Sequence, residues 1–159
     1  MKKVLLLFAL LLIIIGGLVL VQNYLKEGGV SFFKKTPIVI INNQKFKVIV
    51  ASSQQEQEIG LSKTKSLSQN QGMIFLFEKP DYYSFWMKNM KFPIDIIYIN
   101  GDVITIIKND VRPPKDNKEI PIVYTPTEPS DRVLEIQAGL SEKYNFKKGD
   151  KVQYENLGN

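Results

Sequence analysis

The chain has 159 residues, 44% of them hydrophobic and 11% aromatic, with a formal charge of +5; that is enough for one domain with a real core, and it excludes a disordered protein. Without residues 1–25, which hold Lys2 and Lys3, 19 basic side chains face 16 acidic ones; no compact Lys/Arg cluster interleaves with aromatics, so nucleic acid is not an expected partner. There is no Cys and no His, which excludes thiol nucleophiles, disulfides, His-assisted hydrolases and zinc or copper sites built on nitrogen or sulfur; no metal and no cofactor is implied.

Met1-Lys2-Lys3 precedes a span without charge from Val4 to Leu25, about 33 Å as a helix against a hydrocarbon core of about 30 Å. The apolar region is too long for a cleavable signal and lacks an A-x-A-like site, so residues 1–25 are expected to form an uncleaved signal anchor. The alternative is secretion after cleavage. Lys2 and Lys3 hold the N-terminus on the cytoplasmic side, so the protein is expected in the cell membrane as a single-pass chain with its domain outside. Residues 26–36 read as a tether, in which Phe32 and Phe33 either rest at the membrane interface or begin the domain of residues 37–159.

Within that domain, PIVII and KFKVIVA flank Asn42-Asn43-Gln44, predicting two strands joined by a tight turn. Ser53 with Glu56 forms a capping-box signature for a short helix that Gly60 closes. Lys63 to Gln71 reads as a loop. Met73 to Phe77 is a continuous apolar run of strand length, bounded by Gly72 before and Glu78-Lys79-Pro80 after. Asn100-Gly101 predicts a type I′ hairpin joining Ile94–Ile99 with Asp102–Ile107. Asn109 to Asp131 holds five prolines, a long loop that covers a site or an edge. Arg132–Ala138 is a strand, Gly139–Phe146 one or two helical turns, and Lys151–Glu155 a last strand. About seven strands and two short helices predict a mainly β domain, α+β being the variant, built of antiparallel hairpins as a sandwich or barrel-like body.

The motifs VIVASSQQEQEIGLS, GMIFLF, FWMKNMKFPIDIIYING, RVLEIQAG and KKGDKV, in that order, resemble the family called domain of unknown function 192, small bacterial and archaeal proteins often carrying a signal or anchor. The resemblance spans Phe46 to Val152 and implies a compact, mainly β fold with no established biochemical activity. Where the family has Met and Arg after Gly60-Leu61, this chain has Ser62 and Thr64. If that Arg serves a ligand or an ion pair, the function is altered here.

Phe85 to Ile99 concentrates the polar residues that demand explanation. Pro93 divides it into two segments. Asp95 opens a strand apolar on both faces, where an unpaired carboxylate would be expensive in free energy. In the structural reading it accepts backbone amide hydrogen bonds or pairs with Lys88, while Asn89 closes the bend. In the functional reading Asp95 and Glu135 share a pocket with Lys88, walled by Trp86 and Tyr98; Trp86, Lys88, Asn89, Asp95, Tyr98 and Glu135 are then the candidate ligand-binding residues, suited to a sugar or short peptide. The leading expectation is a membrane-anchored extracytoplasmic domain, leaning non-enzymatic, that binds a small ligand or envelope partner near Trp86 to Asp95. The alternatives are a hydrolase with Asp95 and Glu135 as its carboxylate pair, and a structural accessory of an envelope complex.

Overall fold

The computed structural model describes residues 2–28, 35–116 and 119–158; within the first helix, side chains are described at residues 3 and 11–23. That helix, α1 (Lys2–Gly28), runs through Lys26 and Glu27, past the boundary expected at residue 25. Leu11 to Val21 along it are exposed. Among the described residues no helix is long and apolar enough to cross a membrane. Residues 29–34 of the expected tether, Phe32 and Phe33 included, lie outside the described residues.

The second unit, residues 36–159, is a mainly β half-barrel. Its elements are β1 (Ile38–Ile41), β2 (Gln44–Ala51), α2 (Gln54–Ile59), β3 (Gln71–Asp81), β4 (Phe85–Trp86), β5 (Ile94–Asn100), β6 (Val103–Val111), β7 (Val123–Tyr124), β8 (Ser130–Gln137), α3 (Leu140–Lys143) and β9 (Val152–Glu155). Seven strands form one sheet in the order β6-β5-β8-β3-β2-β1-β9, and β4 and β7 form a separate ribbon. The two edge strands meet at one end, where Val103 bridges Lys151 and the Val152 amide donates to the Asp102 carbonyl at 2.8 Å.

Local signals produced the expected local structure. Asn42 and Asn43 both take positive φ, the geometry of a two-residue type I′ turn, so Ile41 pairs directly with Gln44. Ser53 and Glu56 make both halves of the capping box, and Gly60 caps α2 with φ +48. Lys45 and Lys47 are exposed while Phe46 and Val48 are buried, the period of two that one wet face imposes.

Three features depart from expectation. β2 and β3 pair in parallel with α2 as their crossover, so the sheet is mixed rather than purely antiparallel. The β5–β6 loop is Gly101-Asp102, not Asn100-Gly101: Asn100 pairs with Val103, and of the two loop residues only Gly101 takes positive φ. A register shift between Tyr98 and Ile99 displaces the turn by one residue, as a bulge does. β3 continues through Pro80, because its register with β8 breaks between Leu76 and Asp81 and no ladder amide is required of the proline.

The sheet buries side chains on both faces. One face gathers Val39, Ile41, Phe46, Ile74, Ile97, Leu134, Ile136 and Phe146. The other gathers Met73, Phe75, Met87, Ile94, Ile96, Tyr98 and Val133, covered by Leu61 and Leu67 from the segment after α2.

Candidate functional site

The position of Trp86 follows from a strand alternation. Phe85 turns inward, its ring 4.9 Å from Phe75 and 6.0 Å from Tyr98, both edge to face. The Tyr98 hydroxyl donates to the Tyr124 carbonyl at 3.0 Å, and Tyr124 pairs with Phe85. The β4–β7 ribbon is thereby bolted to the main sheet, and burial holds the Tyr98 hydroxyl well above its ordinary pKa. Trp86, the next residue, must then face outward. It is 55% exposed and is not a core residue.

Outside the ribbon lies a groove of 260 Å³ lined by Phe75, Phe77, Tyr83, Ser84, Phe85 and Trp86 on one side and by Gln54, Gln57 and Glu58 of α2 on the other. Phe77 and Tyr83 stack at 3.6 Å between centroids. The Gln57 side-chain amide donates to the Leu76 carbonyl at 2.8 Å, and the Gln54 amide donates to the Glu58 carboxylate at 2.9 Å. Apart from Trp86, these residues were not among the candidates read from sequence. The available signal was aromatic density, since Phe75, Phe77, Tyr82, Tyr83, Phe85 and Trp86 fall within twelve positions.

Lys88 sits with Nζ 5.2 Å from the centroid of the Trp86 ring. Asn89 takes φ +62 in a turn closed by backbone atoms, the Met90 amide on the Met87 carbonyl. Lys88 and Asn89 line a second, more polar depression with Pro114, Lys115, Asp116 and Glu119.

Asp95 is fully buried and accepts three backbone amide bonds: from Asp110 at 2.9 Å, Gly139 at 3.1 Å and Ser141 at 2.8 Å. It clasps the end of β6 and the start of α3 to β5. Asp110 takes φ +48 at this point, a left-handed conformation stabilised by the amide bond to the carboxylate. This is a scaffolding role, and it is independent of Lys88.

Glu135 is 6% exposed, and its Oε2 has no hydrogen-bond partner among the described residues. Burial raises its pKa from 4.5 to about 8. It does not share a pocket with Asp95. Ile96 pairs with Glu135 and Asp95 with Ile136, and paired residues project to the same face. Asp95 therefore lies on the face of Ile97 and Ile136, and Glu135 on that of Met73 and Tyr98. The sheet separates the two carboxyl groups, which removes the catalytic pair of the hydrolase reading.

Ser62 and Thr64, where the family motif has Met and Arg, occupy the turns after α2: the Ser62 hydroxyl donates to the Ile59 carbonyl at 2.6 Å and the Thr64 amide to the Leu61 carbonyl at 2.9 Å. Among the described residues, no three acidic side chains gather as metal ligands.

Two solved structures share this fold. A protein of unknown function from Novosphingobium aromaticivorans is 34% identical over 74% of this chain and 83% of its own, with a TM-score of 0.63. A candidate transcription regulator from Sinorhizobium meliloti is 24% identical over 76% of this chain and 93% of its own, with a TM-score of 0.67, a likeness of fold alone. No curated protein matches the chain. The family profile described as Uncharacterized ACR, domain of unknown function 192, matches residues 38–154, and the chain belongs to that family.

Proposed function

We propose that this protein is a membrane-anchored, extracytoplasmic, non-enzymatic binding domain whose ligand or envelope partner docks in the groove beside Trp86. The observation that carries the reading is a 55% exposed tryptophan at the edge of a groove lined by four further aromatic rings. Leaving a large indole half uncovered forgoes burial worth roughly 2 kcal/mol, and a ligand that covers it recovers that free energy. Among the described residues there is no carboxylate pair, His or Cys in the groove that would give it hydrolytic chemistry. The anchor reading is supported by the uncharged stretch Val4 to Leu25 within a helix running from Lys2 to Gly28, preceded by Lys2 and Lys3.

Two measurements test the two halves separately. Mass spectrometry of the mature chain reads the N-terminus: a start near residues 22–30 overturns the anchor and makes the domain a secreted one. Thermal shift against fractionated envelope extract reads the groove. A fraction that stabilises the wild type and leaves Trp86→Ala unmoved supports the site; equal stabilisation of both proteins overturns it.

A further inference from the structure

The chemistry of the groove rim narrows the class of ligand. Part of its donor capacity is engaged within the protein: one N–H of the Gln57 amide is on the Leu76 carbonyl, one of the Gln54 amide on Glu58, and the Tyr83 hydroxyl donates to the Lys79 carbonyl at 3.0 Å; the second N–H of each amide and the Trp86 indole N–H remain as donors. From α2 the groove is also offered acceptors: the amide oxygens of Gln54 and Gln57 and the second carboxylate oxygen of Glu58. The opposite wall is built of aromatic rings, whose faces carry negative potential. Among the described residues no Lys or Arg lines the groove, in a protein whose formal charge is +5. One carboxylate, acceptors and a wall of aromatic rings together favour a ligand that carries positive charge on an apolar or planar donor group.

We propose that the groove binds an organic cation, an ammonium or guanidinium group held against Trp86 and Tyr83 with Glu58 as its counter-charge. This rests on the reading of the groove as the ligand site and adds the chemical class. Two further observations bear on it. The Tyr83 hydroxyl is shifted upward in pKa by burial and then by the carboxylates of Asp81, Glu78 and Asp131, so acidic side chains lie near this end of the groove. Lys88, outside the groove lining, already places its ammonium 5.2 Å from the Trp86 ring centroid; the indole attracts a cation of the protein's own, and that charge disfavours a second cation on the same ring. At 260 Å³ the groove is smaller than the roughly 300–1,000 Å³ of drug-sized sites, which suits a small quaternary ammonium or a single basic side chain.

Trp86 is the only tryptophan in the chain, so its fluorescence reports the groove directly. The full-length chain in dodecyl maltoside micelles, whose headgroup carries no ammonium, is titrated with choline chloride, with choline's uncharged carbon isostere dimethylbutanol, and with the tripeptide Gly-Arg-Gly, against sodium chloride as an ionic-strength control. The expected result is a saturable change with millimolar choline or Gly-Arg-Gly and little with the isostere. The affinity should weaken about 3-fold in Glu58→Gln and strengthen about 2-fold or more in Lys88→Met, the range of exposed charge and cation–π contacts. Glu58 and Lys88 are both exposed, and circular dichroism checks that the variants keep the wild-type fold. Choline saturation without a tripeptide response assigns the cation to a free small molecule; the reverse assigns it to a peptide side chain. If the isostere binds as well as choline, or Glu58→Gln changes nothing, the cation class is overturned while the groove stands. If no titrant moves the emission beyond the salt control, the cation class is overturned, and the thermal-shift comparison with Trp86→Ala then decides the groove on its own.

Discussion

Glu135→Gln replaces a buried acid, raised in pKa from 4.5 to about 8 by burial, with a side chain that stays neutral at every pH. The folded state holds the proton more tightly than the unfolded chain does. Below about pH 4.5 both states are protonated and the acid carries no penalty. As pH rises the unfolded chain ionises first, and stability is lost until the folded carboxyl ionises near pH 8. Between pH 5 and 7.5 the loss runs at the one-proton slope of about 1.4 kcal/mol per pH unit, accumulating to roughly 3–5 kcal/mol by pH 8. Urea denaturation of residues 36–159, the unit that contains both buried clusters, gives this stability at pH 5, 6, 7 and 8. The difference between wild type and Glu135→Gln should shrink or change sign by about 1.4 kcal/mol for each unit, whatever constant offset the amide's own hydrogen bonding adds. A difference that is flat across this range would falsify the assignment of Glu135 as a neutral acid on the buried face.

Asp95→Asn should destabilise the domain by roughly 3 kcal/mol, because the amide presents its own N–H groups to three backbone donors; chemical denaturation measures it, and an unchanged midpoint would refute the clasp. Gly72→Ala should cost about 2–4 kcal/mol, since a Cβ there falls 2.7 Å from the Glu135 carbonyl oxygen and the opposing atom is backbone. Wild-type stability in that variant would mean the β3–β8 spacing is wider than described. Trp86→Ala, at a 55% exposed position, should shift unfolding by less than about 1 kcal/mol; collapse of the fold would return Trp86 to a packing role.

What could be read from sequence was what is decided within a few residues. The capping box at Ser53 and Glu56, the Asn42-Asn43 turn and the alternation of Lys45 to Val48 each depend on neighbours in the chain, and each appeared as expected. The pairing of Asp95 with Glu135 failed for the opposite reason. Whether two carboxylates forty positions apart share a face depends on the β5–β8 register, and a slip of one residue reverses the answer. The parallel β2–β3 pair was hidden because its crossover helix has six residues, short beside the usual connection between parallel strands. The groove joins α2 to β3 and β4, three elements with no shared local signal, so of its lining only Trp86 stood out in advance.

The position of the last strand governs when folding can finish. β9 pairs with β1, Ile38 opposite Glu155 and Ile41 opposite Val152, so the first and last strands of the domain are neighbours while more than a hundred residues lie between them. As the chain leaves the ribosome, or crosses a membrane from its N-terminus, the β1–β2 hairpin presents an open edge until the C-terminal residues arrive. Closure thus waits for Val152–Glu155, and a chain cut short before Val152 is left with a templating edge on β1 that β9 otherwise hides.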